Sequence, residues 1–329
     1  MNGLFRPFLM PLLPAVLLMT GCATDKDRNA PRNVTQDRVS AFLSKAEDPR
    51  RHWLNVYQSE NGPVFVGSHR LHANQQESLE FESRRKSKAP VIEIRGHGDY
   101  SYPALLDTSA RENWIALDGA LEMGLIPMGP PAYERTPRHV YDPTVGYLCL
   151  ATKLRMGQFH IENALFYTLT SQIALGPVAR NIQRPPPRMV LGCALLRALR
   201  YLQLDYPEKK AILSSTLPFE PVSGRLLAEV PMMDWNGIMA VRGRIDGLST
   251  IIILDSAGDF ELAMRTPAKE RVDQLSAGNM VWRQVQVTDT ESLNLGYPDT
   301  PRIGRQLLRK YRVTFDNRQQ VVFFERPED

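Results

Sequence analysis

The chain has 329 residues, 43% of them hydrophobic and 23% charged, with a net charge of +4. This is the balance of an ordinary globular protein, long enough for one large domain or two lobes with real cores. No basic stripe interleaved with aromatics and no zinc-finger spacing occurs, so no nucleic-acid partner is expected; the densest basic run, "RRKSK" at 84–88, reads as a solvated linker.

The N-terminus comes first. Arg6 supplies a minimal positive start, and "PFLMPLLPAVLLMTG" (7–21) is an apolar stretch too short to span a bilayer comfortably. It ends with Gly21 before Cys22, an ending that resembles the lipobox of bacterial lipoproteins. The resemblance implies a signal peptide over 1–21, cleavage before Cys22, and acyl chains, palmitate among them, on that cysteine. Acyl chains hold a protein to a membrane by burying many CH₂ groups. An ordinary cleaved signal and an uncleaved anchor are the alternatives. Ala23 after the cysteine resembles the sorting pattern that sends such proteins to the outer membrane, which implies the cell envelope on the periplasmic side. Residues 22–88 are polar and read as a stalk with accessory elements: a helix in "TQDRVSAFLSKAED" opened by Thr35, and a strand near "GPVFVGS". The same segment has the position of a prosegment.

From residue 89 onward the chain repeats itself. "VIEIRGHGDYSYPALLDTSA" (91–110) and "IMAVRGRIDGLSTIIILDSAG" (238–258) share an apolar-Arg-Gly-x-x-Asp turn, an apolar run, and an Asp followed by a hydroxyl residue. Gly-x-x-Leu-Leu-Arg-x-x-Arg then occurs at 192–200 and again at 304–312. Each is followed by a strand ending in Asp (Asp205, Asp316), a turn and another apolar strand. The unit is strand, Asp-loop, hairpins, strand-Gly, short helix, terminal hairpin, and it occurs twice. This predicts an all-β protein with short helices and two pseudo-twofold-related lobes, over 89–217 and 218–329. Between the landmarks of the first copy, alternation and Pro143, Gly146, Gly157 and Asn163 predict successive hairpins over 139–169. "IQRPPPRMV" (182–190) reads as a stiff connector, and "SSTLPFEPVSG" (214–224) as the join between lobes. Gly192 and Gly304 are expected where backbone packs closely behind each Asp-loop.

Asp107 and Asp255 each end an apolar run, and a carboxylate buried without a partner costs several kcal/mol. Apolar-apolar-Asp-Thr/Ser, answered later by apolar-apolar-Gly and a short helix, resembles the signature of the aspartic peptidases. Two such units in one chain resemble a bilobed pepsin-like enzyme, with lobes closer to bacterial retropepsin-like ones. That implies an envelope-anchored aspartic endopeptidase, a monomer taking a peptide or protein in the cleft between lobes. Asp107 and Asp255 would share one proton, because two adjacent carboxylates cannot both ionise easily; aspartic proteases are the standard case. The ionised member activates a water and the protonated member holds the scissile carbonyl. Thr108 and Ser256 would lock the two loops together. Ser109 and Ala257 stand where the family usually has Gly. Ala110 and Gly258 lack the hydroxyl that often bonds the Asp, which implies a raised pKa and a mildly acid optimum. Gly146 and Tyr147, in "YDPTVGYL" (141–148), are the expected flap. The second copy, at "SAGNMVWRQVQV" (276–287), is too short for an equal one. The alternative is a catalytically impaired lipoprotein of the same fold that binds peptides or envelope components.

No cofactor and no metal is expected, since the six histidines are scattered and neither tandem C-x-x-C nor H-E-x-x-H occurs. Cys149 and Cys193 are either a disulfide, which an oxidising envelope would allow, or two buried thiols.

Overall fold

A computed structural model of the chain describes residues 35–59, 62–66, 69–82, 89–97, 100–129, 134–135, 146–169, 188–265, 267–290 and 299–328. The chain divides into residues 1–30 and 31–329, and everything described belongs to the second unit. Cys22 and the signal-like segment lie outside the described residues.

A helix over Gln36–Leu43 opens this unit, with Thr35 as its cap accepting from the Arg38 amide, and it buries Val39 and Phe42. Strands β1 (Asn55–Ser59) and β2 (Gly62–Val66) form a separate ribbon. Among the described residues, ten further strands precede the hairpin that ends the first lobe: β3 (Arg70–Leu71), β4 (Gln76–Glu80), β5 (Val91–Arg95), β6 (Ser101–Leu106), β7 (Trp114–Ala116), β8 (Ile126–Pro127), β9 (Glu134–Arg135), β10 (Gly146–Met156), β11 (Phe159–Leu169) and β12 (Met189–Leu191). The first lobe ends with the hairpin β13 (Tyr201–Asp205) and β14 (Lys210–Ser214). The second lobe contains β15 (Leu226–Trp235), β16 (Ile238–Ile245), β17 (Leu248–Leu254), β18 (Leu262–Met264), β19 (Arg271–Ala277), β20 (Met280–Asp289), β21 (Arg302–Ile303), β22 (Arg312–Asp316) and β23 (Val321–Glu325). The protein is mostly β, as the alternating and apolar runs predict.

The repeat in the sequence is a repeat in the pairing. β12 lies parallel to β6 and antiparallel to β7; β21 lies parallel to β17 and antiparallel to β18. In each lobe, then, the strand ending in Gly slots between the Asp strand and the strand after the Asp-loop. This explains why Ala104–Leu106 and Ile252–Leu254 are apolar at consecutive positions. Strands paired on both edges and covered on both faces bury every side chain, and these residues are essentially inaccessible. β10–β11 and β19–β20 are matching hairpins, pairing with β5 and β16 respectively.

The lobes meet in one continuous run of strands, ordered β15-β23-β22-β13-β14-β4. β13 and β22 pair antiparallel about Gln203 and Thr314, whose side chains hydrogen-bond at 2.8 Å. An element from before residue 89 joins this run. β4 pairs with β14 as β15 pairs with β23, so it is the first lobe's counterpart of β15 and belongs to that lobe. β3, another element of the 22–88 segment, pairs with β11. β9 pairs with β10 and β10 with β11, hairpins in succession as the sequence predicts, the second long and running over 146–169. Gly157, at φ 58°, makes its turn, and Asn163, at φ 56°, sits within β11 as a local irregularity in a continuing strand.

Candidate active site

The pairing places Asp107 and Asp255 one residue past the ends of β6 and β17, at equivalent points of the two lobes. Each is fixed by its backbone: the Asp107 N–H donates to the Leu191 carbonyl at 3.0 Å, and the Asp255 N–H to the Ile303 carbonyl at 2.8 Å. The next residues cross between lobes. The Thr108 hydroxyl donates to the Leu254 carbonyl at 2.5 Å and accepts from the Ser256 amide at 3.1 Å. The Ser256 hydroxyl donates to the Leu106 carbonyl at 2.8 Å and accepts from the Thr108 amide at 3.0 Å. The exchange is reciprocal and wholly buried, and each hydroxyl satisfies two backbone groups that would otherwise be stranded.

Each carboxylate takes hydrogen bonds from its own loop. Asp107 Oδ1 accepts from the Ser109 amide (2.8 Å), the Ser109 hydroxyl (2.8 Å) and the Ala110 amide (3.1 Å). Asp255 Oδ1 accepts from the Ala257 amide (3.1 Å) and the Gly258 amide (2.7 Å). The hydroxyl missing at Ala110 is therefore supplied one residue earlier, by Ser109. Ser109 and Ala257 tolerate a Cβ because neither has positive φ. The position that demands glycine is Gly258, where a Cβ would strike the Phe260 ring and stand 3.0 Å from Asp255 Cγ. Gly192 and Gly304 have matching reasons: a Cβ would meet the Glu112 carbonyl oxygen in one lobe and the Phe260 carbonyl oxygen in the other.

Both carboxylates are buried, Asp107 at 4% exposure and Asp255 at 0%. Burial, and then the charge of Asp255, push the Asp107 carboxyl up to about 7, against the pull of Ser109 and Arg302. No protein-family model matches this chain, and no curated protein matches it.

Several neighbours were not foreseen. Arg302, on β21, is buried with its Nη1 3.5 Å from Asp255 Oδ2. The Tyr206 hydroxyl, from the first lobe, donates to the Ser256 carbonyl at 3.1 Å. Asn113 joins the Asp-loop to the glycine strand, accepting from the Gly192 amide at 2.9 Å and donating to the Leu165 carbonyl. The only sequence signal for Arg302 is a charge where the repeat has Val190; for Tyr206 and Asn113 there is none.

Gly146 and Tyr147 open β10, facing Arg135 and Glu134 of β9. They stand at the base of a hairpin whose connection, 136–145, is outside the described residues along with the rest of the expected flap. Tyr147 packs against the core. The second-copy stretch 276–287 is the turn of β19–β20, the counterpart of the Gly157 turn and not of β9–β10. Cys149 and Cys193 are free and buried, which decides between the two readings of that pair; burial pushes both thiols up to about 12. The Cys193 thiol donates to the Thr108 carbonyl at 3.1 Å, bracing the first loop from behind. Among the described residues, no cluster of His, Cys, Asp and Glu side chains could hold a metal ion.

Proposed function

We propose that this protein is an aspartic-type endopeptidase of bilobed, retropepsin-like and pepsin-like architecture, with Asp107 and Asp255 as its catalytic pair. The reciprocal exchange between Thr108 and Ser256 carries the reading. It joins two equivalent Asp-loops at a pseudo-twofold axis, each hydroxyl serving backbone groups of the opposite lobe. Burial, and then the nearby charge of Asp255, raise the Asp107 carboxyl, which suits a carboxyl that holds a proton beside an ionised one.

In this mechanism the pair holds one proton. The ionised carboxylate takes a proton from a bound water as the water attacks the peptide carbonyl carbon. The protonated carboxyl hydrogen-bonds the carbonyl oxygen and stabilises the tetrahedral intermediate. The C–N bond then breaks as the amine is protonated, and the pair returns to its starting state. Amides from Ser109, Ala110, Ala257 and Gly258 hold Oδ1 of each carboxylate still. Ser109 and Ala257 are supporting residues in this scheme, and β9–β10, with Gly146 and Tyr147, is the base of the flap.

The anchored location belongs to the same proposal: a lipid on Cys22, an outer-membrane attachment facing the periplasm, and a peptide or protein substrate. No helix among the described residues is long and apolar enough to cross a membrane. The near-complete burial of both carboxylates favours a second reading, a protein of this fold that binds peptides without cleaving them. Incubation with a peptide library, with and without a transition-state analogue of the aspartic class, separates the two. Cleavage blocked by the analogue and abolished in Asp107→Asn supports the peptidase; binding of peptides without cleavage supports the alternative.

A further inference from the structure

The two lobes repeat each other closely around the carboxylates, with two buried arginines, Arg302 and Arg305, as charged exceptions. Arg302 on β21 occupies the position that Val190 holds on β12, two residues before the glycine in each copy. Val190 packs with Val91, Leu105 and Ala257 in an apolar cluster. Arg302 instead brings a guanidinium, 2% exposed, to the fully buried Asp255. An arginine keeps its charge in such surroundings, and a fixed cation counts for more where water is excluded.

We propose that Arg302 breaks the symmetry of the carboxylate pair: its guanidinium, 3.5 Å from Asp255 Oδ2, keeps the negative charge on Asp255 and leaves the shared proton to Asp107. This deepens the reading of Asp107 and Asp255 as a working pair, and rests on it. Arg302 is a positioning residue, since it acts through Asp255. Within each loop the donors converge on Oδ1, three on Asp107 and two on Asp255, so the feature that sets the two carboxylates apart is the cation that Asp255 Oδ2 faces.

Other titratable groups also stand around the pair. Cys193 and Tyr206 are both driven upward by burial and stay neutral in the working range. Arg305, on the short helix after Gly304, is turned to Asp259 at 2.9 Å. Asp289 ends β20, opposite Met264 of β18, one strand removed from β21. Arg302 thus assigns roles: Asp255 is the base that activates water, and Asp107 is the acid that meets the carbonyl oxygen.

The test is a carbon-13 NMR titration of the aspartate carboxyls from pH 4 to 9 in the full-length protein. Asp107→Asn and Asp255→Asn assign the two resonances, and Arg302→Lys and Arg302→Met probe the cation. In the wild type, the Asp107 resonance should titrate near neutrality while that of Asp255 stays ionised. Arg302→Met should move the midpoint up by about one unit or more, and Arg302→Lys should stay close to the wild type. A neutral-range titration on Asp255, or an unmoved midpoint in a folded Arg302→Met protein, overturns the proposal. If Arg302→Met does not fold, the wild-type assignment and Arg302→Lys still decide. The titration needs no substrate. A protein that titrates as expected yet cleaves no peptide would sink the peptidase reading and leave the asymmetry standing.

Discussion

Arg312 of the second lobe meets Asp205 of the first at 2.7 Å, and Arg200 of the first lobe meets Asp316 of the second at 3.3 Å. Arg200 and Arg312 are the last residues of the two Gly-x-x-Leu-Leu-Arg-x-x-Arg copies, and Asp205 and Asp316 end the strands that follow. The repeat is therefore matched by two equivalent ion pairs, each joining one copy to the other through β13 and β22. Their side chains are largely buried, so each charge depends on its partner.

Breaking one of these pairs on a single side strands a buried charge. Arg312→Ala should lower stability by about 3 kcal/mol or more, while the double variant Arg312→Met with Asp205→Leu should lose less. Urea unfolding of the single and double variants checks this. Equal losses in both would show the pair carries no such role.

The loop exchange should be costly to open. Thr108→Val leaves the Ser256 amide and the Leu254 carbonyl without their partner and should cost about 2–4 kcal/mol, from two buried groups left unsatisfied. Thr108→Ser keeps the hydroxyl and should stay near the wild type. Thermal unfolding ranks the two variants.

The Asp107 carboxyl titrates near 7 in the folded protein, against an ordinary 3.8. Between those values the folded state holds a proton that the unfolded chain has released. The stabilisation is fully present below about pH 4 and is lost as pH rises to about 7, a fall of roughly 4 kcal/mol. Asp107→Asn should be flat over that window and more stable than the wild type at pH 7.5. Denaturant midpoints at pH 4, 5.5, 7 and 7.5 give the slope. Peptide cleavage should also decline as the pair loses its proton through about pH 7, a mildly acid optimum.

Ser109 stabilises the ionised form of Asp107 through its hydroxyl. Ser109→Ala should therefore shift the alkaline limb of kcat/KM upward, by about one unit. Ser109→Thr, which keeps the hydroxyl, should shift it less. An unchanged limb in Ser109→Ala would mean that the hydroxyl does not govern the titration.

Gly304 has no room for a side chain, since a Cβ would enter the Phe260 carbonyl oxygen and ring. Gly304→Ala should destabilise by about 1–3 kcal/mol and disturb the Asp255 loop, whose Gly258 carbonyl accepts from the Arg305 amide. Gly224→Ala, with nothing within 4 Å but φ 83°, is the control for backbone strain alone. Circular dichroism melts of both variants separate collision from strain.

Much of this arrangement follows from the sequence alone, because it is written twice. The period-two and fully apolar runs specify strands, and the two Asp-hydroxyl and Gly-Leu-Leu-Arg landmarks place those strands in the same order in each lobe. Asp107, Asp255, Thr108, Ser256, Gly192 and Gly304 are legible for that reason. What breaks the repeat was not legible. β4 shares no motif with β15, and only the edge of β14, with unpaired amides to satisfy, recruits it. Ser109 takes over a hydroxyl bond to Asp107 because the loop conformation turns its side chain back toward the carboxylate. The tertiary structure alone also decides that Arg200 and Arg312 face the opposite lobe's aspartates, and that Arg302 stands beside Asp255. A local pattern specifies which residues share a strand. Which charges meet across two lobes depends on the register of β13 with β22 and on the way each glycine strand slots beside its Asp-loop.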